Sequence, residues 1–411
     1  LANKPAIEVL SPAGDKERLQ AALMFGADAV YIAGEEYGMR SACANFTHDG
    51  LKEAVDLTHQ YGKKLYVTCN VLPRNRDIMA MPDYFAYLDS IGIDALILSD
   101  LGAVQLAKKE APHCAIHIST QFGVVNYASA NALYEMGASR VVLARELSMA
   151  EIREIRALTP AELELEAFVH GAICMSFSGR CVISNYLTGR DANHGECAQP
   201  CRWKYSVVEE TRPGEYMPIE ETADGTYLFN ANDMNMINHV ADLASAGITS
   251  FKIEGRAKSF YYTAVTANAY RQAVNGYIAS GCRSDYQPDP WIADELNKIS
   301  HRPYGTGFYY GQPRQYHKEA GYIRSYEVAA VVTGWQDGWL TLEQRNRFFV
   351  GDTLEVLIPG VKPFDFTVVS MLDEDRTPIE VAPHPTMTVH VPCEQALPVG
   401  ALLRFDKANR T

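Results

Sequence analysis

The stretch SFKIEGR, residues 250–256, decides the fold. It is a short run in which Phe251 and Ile253 alternate with Lys252 and Glu254, the pattern of a strand. The helix-like DMNMINHVADLASAG (233–247) precedes it, and the long helical stretch SFYYTAVTANAYRQAVNGY (259–277) follows. Seven similar apolar runs come earlier: IEVLSPAG (7–14), AVYIAG (29–34), KLYVTCN (64–70), ALILSD (95–100), AIHISTQ (115–121), RVVLARE (140–146) and LELEAFVHG (163–171). Amphipathic segments such as DKERLQAALMFG (15–26), DGLKEAVDLTHQYG (49–62) and SMAEIREIRALT (148–159) separate them. This rhythm implies a parallel sheet with right-handed crossovers. SFKIEGR makes the count eight, that of a TIM barrel. A doubly wound sheet is the alternative. The near-match to a dinucleotide fingerprint, GTGFYYG (305–311), has the wrong spacing and reads as a turn. The expected fold is therefore α/β, a TIM (β/α)8-like barrel.

Between the seventh and eighth strands lies a long insertion, 172–232, holding Cys174, Cys181, Cys197 and Cys201. In a barrel this loop opens at the C-terminal face, where active sites are built. Four thiols so close in sequence can converge on one metal, and thiolates select zinc or iron–sulfur clusters. The spacing is Cys174-x6-Cys181, then Cys197-x3-Cys201. Only the second pair has the tight spacing usual for structural zinc, so spacing leaves the two metals open. Two unrelated pairs of buried thiols is the plainer alternative. The remaining cysteines, Cys43, Cys69, Cys114, Cys282 and Cys393, are scattered and read as small buried hydrophobes.

Domain 1–285 is the expected barrel, 286–318 a linker with the helix DPWIADELNKIS (289–300), and 319–411 a small antiparallel β-barrel. Its strands read as YEVAAVVTGW, GWLTLEQ, GDTLEVLI, FDFTVVSM, MTVHVP and ALLRF. The chain of 411 residues, 47% of them hydrophobic, can build such cores. No apolar run reaches membrane-span length and no signal peptide is seen, so no membrane partner and a reducing cytoplasm are expected. A net charge of −13 argues against a protein that coats nucleic acid. A local basic face remains open: Arg180, Arg190, Arg202, Lys204 and Arg212 lie beside Tyr186, Trp203 and Tyr205. Such a mix can hold phosphates and stack a base, and a solvated surface explains it as well.

EAFVHGAICMSFSGRCVIS (166–184) resembles the signature of the collagenase-like peptidase family U32, as do LSPAG (10–14), GADAVYIAG (26–34), RVVLARELS (140–148) and FKIEGRAKSFYY (251–262). GECAQPCRWKY (195–205) and RPGEYM (212–217) look most like the family's tRNA-hydroxylation subgroup. The resemblance covers nearly the whole chain. It implies an oxygen-independent tRNA hydroxylase acting on the anticodon loop and forming 5-hydroxyuridine at the wobble position. It also implies prephenate as hydroxyl source and a 4Fe-4S cluster on the four cysteines. Zinc in the same site is the alternative. The rival readings are a peptidase, with Cys174 and His170 as the tempting pair, and a non-catalytic RNA-binding protein with structural zinc.

A dicarboxylate such as prephenate calls for arginines. Arg145 and Arg256 end strands six and eight, and Arg40 follows strand two. Their alternative partners are Glu146 and Glu254 respectively for the first two. His170 closes strand seven and is the expected proton shuttle. Lys252 and Glu254 share one face and are expected to pair if that face is interior. Asn70, Asp100, Ser119 and Gln121, at strand ends, are expected polar liners, and Arg202 and Lys204 are expected RNA contacts.

Overall fold

A computed structural model describes residues 7–39, 44–174, 176–203, 231–313 and 322–409, with the backbone of 207–208 and 216–217. Arg40, Lys204, Tyr205 and Arg212 lie outside the described residues. The barrel strands are β1 (Glu8–Pro12), β2 (Ala29–Ile32), β3 (Lys64–Cys69), β4 (Ala95–Leu98), β5 (Ala115–Ile118), β6 (Arg140–Val142), β7 (Glu164–Ala172) and β8 (Ser250–Ile253). Each pairs in parallel with the next, and β8 pairs with both β7 and β1, closing the ring. These strands are covered on both faces, which is why they read as nearly continuous apolar runs.

Helices α1 (Lys16–Met24), α2 (His48–Gln60), α3 (Asn75–Ser90), α4 (Leu101–Glu110), α5 (Tyr127–Glu135) and α6 (Met149–Ala157) follow the first six strands. Their starts are written in the sequence: Asp15, Thr47, Asp100, Asn126 and Ser148 each accept a hydrogen bond from an orphan backbone N–H of the first turn. Asp100 is thus a helix cap and does not line the barrel mouth. The insertion carries α7 (Ile183–Thr188), α8 (Val240–Ser245) precedes β8, and α9 (Phe260–Ala279) follows it, capped by Ser259. Two glycines permit closure at the top. A Cβ on Gly14 would lie 2.4 Å from the Arg256 carbonyl oxygen, and one on Gly171 2.4 Å from that of Glu254.

One expected helix starts late. Asp233–Asn235 is a short strand antiparallel to the end of β7, with Asn235 opposite His170. The buried Asp233–Arg302 ion pair, at 2.7 Å, holds this segment extended.

After a short helix, Pro290–Glu295, the second domain is a curled antiparallel sheet. Its strands are β9 (Tyr326–Gln336), β10 (Trp339–Gln344), β11 (Thr353–Leu357), β12 (Phe364–Thr367), β13 (Thr388–Pro392) and β14 (Leu402–Asp406), in the order β12-β11-β14-β9-β10-β13. All six expected strands form. Val328, Leu357 and Leu402 of this sheet join the barrel's core. The fully buried Arg404 crosses the junction, reaching Glu295 at 2.7 Å, Glu355 at 2.8 Å and the Tyr261 hydroxyl at 3.0 Å.

Candidate functional site

The C-terminal ends of the strands open into a cleft of about 1110 Å³. Barrel residues Asn70, Ser119, Gln121, Arg145, Lys252, Glu254 and Arg256 line it, as do Cys174, Cys181, Cys197, Cys201 and Arg202 of the insertion. The second domain adds Tyr322, Arg324, Tyr326 and Arg345. The expected site residues are therefore largely brought together.

The cleft floor is charged and rigid. Lys252 donates to Glu166 at 2.6 Å, and Arg140 reaches the other Glu166 oxygen at 3.0 Å and Glu8 at 2.6 Å. The Tyr66 hydroxyl and Ser250 also donate to Glu8, at 2.7 and 2.8 Å. Burial opposes charge on Glu8, but the Arg140 guanidinium and these hydrogen bonds prevail and hold its carboxyl below the usual range. Lys252 lies over the rings of Tyr31 (4.6 Å) and Phe168 (5.6 Å). The expected Lys252–Glu254 pair is not formed. Lys252 instead meets Glu166, and Glu254 meets Arg145 at 3.7 Å; the β8–β7 register shifts between Lys252 and Ile253. Glu166 and Arg140 were not expected; the signal was the alternation of Glu164 and Glu166 along an otherwise apolar strand.

At the mouth, Arg145 stacks on Phe168, its guanidinium carbon 3.8 Å from the ring centroid, and donates to the Ala172 carbonyl at 3.1 Å. Its buried Nε has no hydrogen-bond partner among the described residues. Glu146, the alternative partner, faces the other way and accepts from Ser178 N–H (2.6 Å) and Oγ (2.8 Å), pinning the insertion. Arg256 is buried and donates to Thr68 Oγ1 at 3.4 Å. Asn70 donates to Ser119 Oγ at 3.3 Å, and the buried Gln121 Oε1 has no hydrogen-bond partner among the described residues.

The insertion is fastened to the barrel by the Leu72 N–H to Asn193 carbonyl bond (3.0 Å), Arg74–Asp191 (3.0 Å) and His194–Asp77 (3.0 Å). Asn193 brackets Cys181, accepting from its N–H at 3.1 Å and donating to its carbonyl at 2.8 Å. The Gln199 N–H points at Cys197 Sγ, 3.4 Å away, with Gln199 in the left-handed region at φ 56°. Burial raises the Cys201 thiol pKa. Arg202 opposes the rise, and the fields of Cys174, Cys197 and Cys181 add to it. Four sulfurs facing one cleft, three of them opposing the ionisation of Cys201, are a donor set that a cation would stabilise. Among the described residues no three ligand side chains stand at metal-holding distance in this structure. Tyr186 (87% exposed), Val182 and Trp203 present an open apolar and aromatic surface on the same insertion.

His170 does not reach the cleft. It is buried behind the barrel wall among Tyr262, Tyr270 and Tyr304, with ring centroids 5.8, 5.7 and 5.4 Å away. Desolvation pulls its pKa to about 3, so it is neutral and Nε2 has no partner among the described residues. In this geometry His170 is not presented to the cleft as the expected proton shuttle requires. The unforeseen strand Asp233–Asn235 covers the residue, and Cys174 faces the cleft without it.

Residues 14–319 match Peptidase family U32, and residues 324–404 match the Peptidase family U32 C-terminal domain. The chain belongs to peptidase family U32. It is 34% identical over 405 residues to tRNA hydroxylation protein P1 of Bacillus subtilis, covering 97% of this chain and 95% of that one. It is 35% identical over 450 residues to tRNA hydroxylation protein P of Escherichia coli, covering 98% of each. It is also 29% identical over 422 residues to a protein named collagenase from Porphyromonas gingivalis, covering 97% and 98%.

Proposed function

We propose that this U32 member is a tRNA hydroxylase that converts the wobble uridine of an anticodon loop to 5-hydroxyuridine. One observation carries the reading. Among the described residues a chain of net charge −13 lines one cleft, which also presents four thiols, with eight basic side chains (Arg145, Arg202, Lys252, Arg256, Lys258, Arg302, Arg324 and Arg345) and two acidic ones (Glu254 and Glu327); Lys252, Arg302 and Arg345 are paired with carboxylates outside that lining, whereas Arg202, Lys258 and Arg324 have no carboxylate partner among the described residues. Such a cleft is built for an anion. The relatives named for tRNA hydroxylation support RNA as that anion.

Cys174, Cys181, Cys197 and Cys201 are proposed to hold a 4Fe-4S cluster, which supplies an electron-transfer or Lewis-acid centre when bound. The rest of the work falls to the chain. Arg145, fixed by Phe168 and the Ala172 carbonyl, is pre-oriented for a carboxylate, and Arg256 supplies a second cation for a dicarboxylate such as prephenate, the proposed hydroxyl source. Tyr31 and Phe168, buried beneath the cleft, hold Lys252 and Arg145 over their rings and so fix those cations where a splayed base and its phosphate would enter. Tyr186 and Trp203 offer exposed rings for neighbouring bases.

The test is mass spectrometry of wobble nucleosides from a strain lacking the gene, with and without complementation. Loss and recovery of 5-hydroxyuridine-derived nucleosides is expected; unchanged nucleosides refute the assignment. The collagenase-named relative motivates a second reading, a cysteine peptidase. It has less support, because the walled-off, neutral His170 is not presented with Cys174 in the cleft as a nucleophile–base pair requires.

A further inference from the structure

Tyr322 stands where four segments meet. From the insertion, Arg202 Nη1 donates to its hydroxyl at 3.2 Å. From the loop after β8, Lys258 places Nζ 3.8 Å from its ring centroid. From the linker, the Arg302 guanidinium carbon lies 5.7 Å from the same centroid. Arg324, two residues further along the chain, lines the same cleft with an exposed side chain.

We propose that this Tyr322-centred cluster is a phosphodiester subsite, gripping the RNA backbone at the seam between the cysteine insertion and the C-terminal sheet. It deepens the tRNA-hydroxylase reading and rests on it. Arg302 is held by Asp233, but Arg202, Lys258 and Arg324 have no carboxylate within ion-pair distance among the described residues. Burial, with the neighbouring Arg302, holds the Lys258 ammonium below the usual lysine range, although Tyr322 and Asp233 oppose the shift. An anion added here relieves that crowding. The mouth arginines serve a different ligand: Arg145 already faces Glu254 and the Ala172 carbonyl, so it suits one oriented carboxylate. Cations ringed around an accessible aromatic combine charge with a stacking surface, which suits a nucleotide better than a bare carboxylate. Cys201 adjoins Arg202 in the chain, so the gripped phosphate lies beside the proposed reaction centre. The C-terminal domain is then part of the substrate site.

The test is fluorescence anisotropy of a fluorescein-labelled RNA hairpin of anticodon stem–loop size, titrated with wild type, Arg324→Gln, Lys258→Gln and the double variant over a series of KCl concentrations. Each single variant is expected to weaken binding about tenfold. Each also lowers the slope of log affinity against log salt by about 0.7, and the double variant by about twice that. Arg283→Gln, an equal charge loss at an exposed Arg283–Asp285 pair away from the cleft, leaves affinity and slope unchanged. Arg324 is exposed, so its variant keeps the test valid if Lys258→Gln misfolds. A wild-type slope in Arg324→Gln overturns the subsite while leaving the hydroxylase reading intact. A wild type that binds no hairpin overturns both.

Discussion

Replacing Lys252 by Met tests whether the cleft floor is a single electrostatic unit. The buried cluster holds two cations, Arg140 and Lys252, against two buried carboxylates, Glu8 and Glu166. Glu164, the third partner of Arg140, is half in solvent and counts for little. Lys252→Met keeps the length and packing over Tyr31 and Phe168 but leaves one buried carboxylate uncompensated. Breaking a buried pair in this way costs about 3–5 kcal/mol; Arg140 still reaches Glu166, so about 3 kcal/mol is expected. Removing Glu166's charge as well, in Lys252→Met/Glu166→Gln, restores neutrality and should return stability to within about 1 kcal/mol of wild type. The assay is urea unfolding followed by circular dichroism, comparing midpoints at unchanged slope. If the single variant loses under about 1 kcal/mol, or the double fails to recover, the floor is not a closed charge balance. The recovered double variant then serves a second measurement. Stable but unable to hydroxylate, it would place Lys252 in substrate positioning and not only in the scaffold.

Three further outcomes follow from the same coordinates. His170 is neutral in the fold with a pKa near 3, against an ordinary value of 6.5, so as pH falls below about 6.5 the unfolded chain takes up a proton that the fold refuses. Stability drops by up to about 1.4 kcal/mol per pH unit from this group, and His170→Phe should lower the proton uptake on unfolding between pH 4 and 6 by about one, read from urea midpoints against pH. Arg404→Met strands Glu295 and Glu355 at the domain junction with only Lys298 between them; a loss of about 3 kcal/mol and faster proteolysis near the linker are expected, and an unchanged digestion pattern would show that apolar packing alone holds the domains. Cys201→Ser should abolish bound iron and sulfide after anaerobic purification while leaving the far-ultraviolet circular dichroism unchanged; full iron content in that variant removes Cys201 from the donor set.

The barrel was legible because its strands are covered on both faces and its helices carry their caps in the sequence. SFKIEGR does close the ring, pairing with β7 and β1. The insertion's place over the mouth followed from strand order alone. Partners were less legible than places. Lys252 and Glu254 both line the cleft as their alternation required, but their partners, Glu166 and Arg145, come from other segments that the local sequence of β8 does not name. His170 closes β7 as expected, yet it is buried among Tyr262, Tyr270 and Tyr304, and a strand hidden in a helical-looking stretch pairs beside it. Tyr322, Arg324 and Arg345 carry no local motif, because only the docking of the second domain brings them to the site.

The charge distribution says why that docking matters. Outside the described lining of the cleft the chain keeps 29 basic residues (37 less 8) and 48 acidic ones (50 less 2), a balance of −19. An RNA approaching the body of the chain meets, on average, an acidic balance, and at about 8 Å of screening length in physiological salt such a field acts near the surface. A basic coat would hold any RNA by its phosphates and leave selection to the active site. On the proposed function, an acidic body with a basic cleft would confine productive binding to RNA that can enter it, as a splayed loop can and a continuous duplex cannot. Selectivity for a loop then comes from exclusion as much as attraction. Neutralising acidic residues on a remote face should therefore tighten binding of unrelated duplex RNA more than that of the hairpin, and an equal gain for both would show that the body's charge plays no part in the choice.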